Sequence, residues 1–125
     1  NNQLVLTIQS DLPEISADPE RLIQVITNLI SNADRHTQNG TITISLTGEP
    51  GWQTICVSDT GTGMSEEMRK NALKGYVSAD KDYWRHGIGL YVCHQIITAL
   101  GGKIWLKSKE GEGTQVFFSL PEEES

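Results

Sequence analysis

The sequence predicts a two-layer α/β (α+β) sandwich, with a mixed, mostly antiparallel sheet of about five strands carrying three helices on one face. Three observations point there. Strand-like and helix-like periods follow one another as strand, helix, hairpin, helix, loop, helix, hairpin. The first helical segment is amphipathic, with Leu22, Ile23, Ile26, Leu29, Ile30 and Ala33 on one side and Arg21, Gln24, Asn28, Asn32 and Arg35 on the other. Its apolar side needs a sheet or a second helix to cover it, while its polar side is free to line a site. Finally, two alternating hairpins present one apolar face each, the pattern of strands packed against a helical layer.

Taken in order, Gln3 to Gln9 alternates moderately and reads as a strand, and Asp11 to Asp18 is a loop around Pro13. Asp18-Pro19-Glu20 reads as a helix start, Asp as N-cap and Pro in the first helical position. That helix runs to about Thr37, before the Asn39-Gly40 turn. Thr41 to Thr47 is a half-buried strand, Glu49-Pro50-Gly51 a turn and Trp52 to Ser58 the returning strand. Ser65-Glu66-Glu67 caps a short helix to about Lys74. Gly75 to His86 mixes Tyr76, Lys81, Tyr83, Trp84 and Arg85 without a period and reads as a long loop, of the kind that forms lids. Ile88 to Leu100 is a helix with Leu90, Cys93, Ile96, Ile97 and Leu100 on one face, stopped by Gly101-Gly102. Lys103 to Ser108 and Thr114 to Leu120 form the last hairpin around Glu110-Gly111-Glu112-Gly113, and Glu122 to Ser125 is a solvated tail.

At 125 residues, the chain is read as one domain, residues 1–125, and is expected to be a piece of a longer protein because it lacks an initiator Met. No apolar run of about 18 residues marks a spanning helix, and Asn1 to Ser10 has no signal-peptide pattern. The net charge of -6 argues against a general nucleic-acid surface. It leaves room for local anion binding by backbone amides, helix N-termini or Mg²⁺. Cys56 and Cys93 lack metal spacing and read as reduced, buried small residues, which fits a cytoplasmic setting. The three histidines are scattered, and no Gly-x-Ser-x-Gly elbow is present.

Four short motifs carry chemistry. Asn28 and Asn32 lie one helical turn apart, and Arg35 follows on the same face. Asn32 offers a hard, neutral oxygen for a Mg²⁺ that already shares phosphate oxygens, and Arg35 a planar fork for phosphate. An ordinary exposed polar helix face would look the same. Asp59-Thr60-Gly61-Thr62-Gly63 ends a strand with a carboxylate able to accept from an exocyclic amine, beside glycines that let a flat ring approach. A plain Asp-Thr-Gly turn is the alternative. Gly87-Ile88-Gly89-Leu90 is a glycine-rich helix entry whose unbonded amides would hold phosphate, or simply a flexible helix start. Gly111-Glu112-Gly113-Thr114 is a hairpin turn in which Thr114 is placed to donate to a ring nitrogen.

In this order and at these intervals, the four motifs resemble the ATP-binding catalytic domain of bacterial sensor histidine kinases, within the wider GHKL ATPase group. Asp18 to Thr37 is similar to that family's N box, Asp59 to Met64 to its first glycine box, Gly87 to Leu90 to its second and Gly111 to Thr114 to its last. The resemblance runs from about Leu4 to Pro121. It implies a Bergerat-type sandwich with ATP between the first long helix and a lid. It also implies that Asn32 binds Mg²⁺, that Arg35 contacts phosphate, and that His36 flanks the nucleotide. Asp59 would read the adenine amino group with help from Thr114 through water. Gly61, Gly63 and Met64 would border the base, and Gly87, Ile88, Gly89 and Leu90 would shape the triphosphate end. One departure stands out: the phenylalanine-centred box of many relatives corresponds here to Ala72-Leu73-Lys74-Gly75-Tyr76-Val77-Ser78, with Ala72 where Phe is expected.

Position 28 separates the subclasses that the resemblance covers. Gyrase, mismatch-repair and heat-shock ATPases place a Glu there to activate water, whereas Asn28 cannot take a proton at neutral pH. The expected function is therefore binding of Mg-ATP and transfer of its γ-phosphate to a histidine, with Asn28, Asn32 and Arg35 as catalytic residues. His36, His86 and His94 do not look like acceptors. The resemblance implies that the acceptor lies on a separate dimeric helical domain of the same protein, with a response regulator downstream. It implies no nucleic-acid or membrane contact by this domain. The alternatives are a conformational ATPase and a degenerate nucleotide-binding interaction module.

Overall fold

The computed structural model describes residues 2–8, 19–71 and 81–121. Its elements run β1 (Gln3–Ile8), α1 (Pro19–His36), β2 (Thr41–Glu49), β3 (Trp52–Asp59), α2 (Glu66–Asn71), α3 (Lys81–Ala99), β4 (Lys103–Lys109) and β5 (Gly113–Pro121). The strands form one sheet in the order β1-β2-β3-β5-β4. β1 pairs with β2 in parallel, and every other pair is antiparallel. The parallel pair follows from the connection: β1 reaches β2 by way of α1, whereas two hairpins join the remaining strands. The mixed sheet and its helical layer agree with the sequence. The Pro13 loop, the Asp18 cap, the Ala72–Ser78 box and the tail from Glu122 lie outside the described residues.

Local chemistry explains most boundaries. α1 starts at Pro19, carries Glu20 in its first turn and ends with Arg35 and His36, charges that complement the helix dipole. Beyond it, Asn39 takes a left-handed φ of 52°, and the chain turns into β2. Asn2 secures that exit: its Nδ2 donates to Thr37 O and to Asp34 Oδ1, both at 2.8 Å, while Gly40 N donates to its Oδ1 at 3.0 Å. α3 closes in a Schellman motif. There Gly102 N donates to Ile97 O at 2.9 Å and Gly101 N to Thr98 O at 3.0 Å, with Gly101 at φ 82°.

The core lies between the sheet and the two long helices. Val25, Leu29, Leu90, Cys93, Ile97, Phe118 and Leu120 are its largest fully buried side chains, each worth about 1.5–3 kcal/mol of burial for the larger aliphatic and aromatic members. The opposite face of the sheet carries Thr43 against Ser58 and Ser45 against Cys56, so these hydroxyls alternate with core residues along β2 and β3. Trp105 stacks on Phe117 there, with ring centroids 5.5 Å apart. Cys56 and Cys93 are both buried and free.

Two expectations need correction. The last helix begins at Lys81 rather than Ile88, so residues 81–86 are helical, and the rest of the expected loop, 75–80, lies outside the described residues. No proline or glycine interrupts residues 81–86, and the two glycines that follow weaken a helix by about 1 kcal/mol each without ending it. The buried arc of α1 is also rotated from its expected apolar stripe: Asn32 is only 6% exposed, whereas Ile23 is 63% exposed. Because α1 packs against α3 as well as the sheet, its inward arc centres on Val25, Leu29, Asn32 and Ala33.

Candidate functional site

Residues paired across a ladder point to the same face, so the helix-covered face can be read in rungs. Ile55, Phe118 and Ile104 form one rung, and Val57, Val116 and Leu106 the next. The third is Asp59, Thr114 and Ser108. The apolar face thus ends in a polar row at the C-terminal end of β3. Asp59 and Thr114 are both buried.

Asp59 is held by backbone. Its Oδ1 accepts from Gly61 N at 2.9 Å and from Thr114 N at 3.2 Å. Its Oδ2 takes no hydrogen bond from the described residues, which leaves a carboxylate oxygen with full acceptor capacity. Ser108 is the hub of the row. Met64 N donates to its Oγ at 2.8 Å, Thr114 Oγ1 lies 2.8 Å away, and Gly113 O accepts from it at 3.1 Å.

The end of α1 meets this row through main chain. Thr62 N donates to His36 O at 3.0 Å, and Gly111 N donates to Thr62 O at 2.8 Å. The helix terminus, the Gly61–Gly63 turn and the β4–β5 turn are therefore threaded together. Glycine is required where they touch. A Cβ on Gly61 would collide with His36 O and stand 2.7 Å from Thr37 Oγ1, and one on Gly63 would collide with Lys109 O. Gly113 combines a left-handed φ of 93° with a Cβ position already filled by Asp59 O.

On α1, Asn32 and Arg35 project from neighbouring turns, with Arg35 Nη2 at 3.5 Å from Asn32 Oδ1, a weak contact. Asn32 thus carries a buried carboxamide oxygen without a strong partner among the described residues, a hard donor that fits Mg²⁺. Asn28 is half-buried and hydrogen-bonds to the Cys93 thiol across the α1–α3 contact. Burial pushes that thiol up to about 11, with the Asn28 bond pulling the other way. Among the described residues no group of three His, Cys, Asp or Glu side chains is placed to hold a metal ion.

The structure thus brings together His36, Asp59, Gly61, Gly63, Met64 and Thr114 through these contacts, while Asn32 and Arg35 lie on the last turns of α1 and touch each other. Met64 and Leu90 both lie in the hydrophobic core cluster. Gly87, Ile88, Gly89 and Leu90 sit inside α3 and not at its entry, beyond the first four amides that a helix leaves unbonded. Reading them as the helix start was an error of boundary, made because glycines resemble helix punctuation. Ser108 was missed. Counting back from Thr114 through the turn Glu110–Gly113 would have paired the two and found it.

Comparison with known proteins places this geometry. The family model described as Histidine kinase-, DNA gyrase B-, and HSP90-like ATPase matches residues 17–124. Over 123 residues the chain is 39% identical to the adaptive-response sensory kinase SasA of Synechococcus elongatus, covering 95% of this chain and 32% of that protein. The chain therefore spans only that share of the relative's length. Full-length ShkA, solved in complex with AMPPNP, superposes with a TM-score of 0.83 at 25% identity, over 99% of this chain and 27% of that one. The nucleotide-free catalytic domain of the histidine kinase ThkA gives 0.83 at 27% identity, over 97% of this chain and 80% of that one. With its sheet order, its polar rung and these likenesses in agreement, the chain belongs to the histidine kinase-, DNA gyrase B- and HSP90-like ATPase family and has the fold of a histidine kinase catalytic domain.

Proposed function

We propose that this domain binds Mg-ATP and passes the γ-phosphate to a histidine on a separate, dimeric helical domain of the same protein, from which a response regulator is charged. Asp59 Oδ2 accepts the adenine amino group, and Thr114 supports the ring. Gly61 and Gly63 leave room for the base, and Met64 borders it. Asn32 caps the metal, Arg35 reaches phosphate, His36 flanks the nucleotide, and the segment from Gly87 through Ile88 and Gly89 to Leu90 borders the triphosphate end. Bound Mg²⁺ would neutralise charge on the phosphate oxygens. The protein's own part is positioning and fixed dipoles, which dominate phosphoryl transfer. The work is cytoplasmic; no helix among the described residues is long and apolar enough to cross a membrane.

The observation that carries this reading is the carboxamide at position 28. Asn28 sits one turn before Asn32, engages the Cys93 thiol and has no basic lone pair with which to deprotonate water. A pocket without a water-activating base favours a nucleophile that needs none, and neutral imidazole is one. The acceptor is then not on this chain. Incubating the 125-residue chain with γ-radiolabelled ATP should leave it essentially unlabelled. Stoichiometric phosphohistidine on this chain would overturn the assignment.

A further inference from the structure

We propose that the outer edge of β4 is a docking strip for an extended acidic segment of a partner protein, read as acid, any residue, apolar, any residue, acid. The inference stands apart from the nucleotide reading above and holds whether or not that reading does.

The strip follows from the period of a strand. β4 closes one side of the sheet and, among the described residues, pairs only with β5. No described strand takes up the backbone groups on its other edge, the template on which a further strand can form. Alternate side chains share a face, so Lys103, Trp105, Lys107 and Lys109 stand away from the helical layer, and all four are exposed. Lys103 and Lys107 are four residues apart, about 13 Å along the strand. The Lys103 ammonium sits 5.6 Å from the Trp52 ring centre, and that of Lys107 5.6 Å from the Phe117 ring centre. Between them Trp105 stacks on Phe117 with 4° between the ring planes. Two charges and an apolar centre are thus held in one line.

Lysines on an edge strand also serve simply to deter pairing. A deterrent does not account for Trp105, whose ring is 38% exposed at the middle of the edge. Nor does it account for the concentration of charge: this strand holds three of the ten Lys and Arg residues of a chain whose net charge is -6.

Charge complementarity selects the occupant. An added strand sets its side chains opposite those of β4, where opposite charges attract and like charges repel. Carboxylates therefore fall opposite Lys103 and Lys107, and an aliphatic or aromatic side chain opposite Trp105. The intervening residues meet Ile104 and Leu106, which pack on the core but are only half-buried, and extend their cover. A second copy of this chain does not fit. Antiparallel pairing of two β4 strands about Trp105 or Leu106 sets Lys103 against Lys107 or Lys109 of the other copy. Nucleic acid does not fit either, because its phosphates would meet a surface that is negative as a whole.

The test is NMR titration of the isotopically labelled 125-residue chain with a blocked peptide that carries Glu, Leu and Glu at alternate positions between Thr residues. Up to millimolar peptide, amide signals along Lys103–Lys109 should shift saturably, and the same peptide with Lys for both Glu should leave them unmoved. In the double variant Lys103→Glu, Lys107→Glu the preference should reverse, the Lys peptide binding about fivefold more tightly, the worth of two cross-strand charge pairs. N-methylation of every second peptide amide should abolish binding in one of the two alternate sets and be tolerated in the other, since only one set faces β4. Unmoved β4 signals, equal response to both peptides, or no reversal in the double variant overturns the proposal, and tolerance of both methylated sets overturns strand pairing. The same signals shifting with protein concentration alone, or with an oligodeoxythymidylate, overturn the acidic partner in favour of a second copy or a nucleic acid.

Discussion

The backbone amide of Thr114 donates to Asp59 Oδ1 at 3.2 Å, across two strands that are 55 residues apart in sequence. That bond, with the Gly61 amide at 2.9 Å on the same oxygen, fixes the carboxylate by one oxygen and leaves the other without a hydrogen bond from the described residues, and it is the second that we propose meets the base. A side chain held by two backbone amides needs no reorganisation when the ligand arrives, which is how a modest number of contacts gives specificity.

The close approach at Gly61 predicts a steric sensitivity. Gly61→Ala places a methyl group against His36 O and Thr37 Oγ1, so either the turn or the end of α1 must move. Overpacking of this kind costs about 1–3 kcal/mol. Urea unfolding should show a lower midpoint with an unchanged slope, and Mg-ATP affinity should fall with it. A midpoint equal to wild type would contradict the described contact.

Alkaline pH should weaken the fold through Cys93. Its thiol is raised in the folded state to about 11 by burial between the helices, against about 8.5 in an unfolded chain. A raised acid stabilises the fold fully while pH is below the unfolded value, and that contribution fades as pH climbs to the folded one. Stability should therefore decline between about pH 8.5 and 11, by a few kcal/mol at most. Cys93→Ala should flatten that decline while lowering stability at neutral pH. A variant whose decline matches wild type would show that the thiol is not its source.

Asn28 predicts a poor hydrolase. Release of free phosphate by the wild-type chain should be slow and should not reach steady multiple turnover, because position 28 carries no base. Steady turnover that persists in Asn28→Ala would favour a conformational ATPase instead.

Much of this was legible in the chain because its signals are local. Pro19 marks a helix start and Gly101-Gly102 a helix stop, Pro by its fixed φ at the first helical position and Gly101 by its ease in the left-handed conformation. Both hairpins announce themselves by alternation around a turn, and Asp59, Gly61 and Asn32 by residue type at a fixed spacing. What was hidden depends on register or on a second element. Ser108 matters only because β4 pairs with β5 in one register, and Asn32 is buried although it lies on the polar side of α1. The start of α3 was misplaced since Gly87 and Gly89 look like punctuation but stand within a helix that neighbouring residues sustain.

The most direct measurement is titration calorimetry of Mg-ATP into the wild-type chain and into Asp59→Asn. The account predicts a single saturable site in wild type and a loss of about 1–3 kcal/mol in the variant, the range for disrupting a buried hydrogen-bonded pair. Absence of binding at millimolar ATP, or equal affinities in the two proteins, would contradict it.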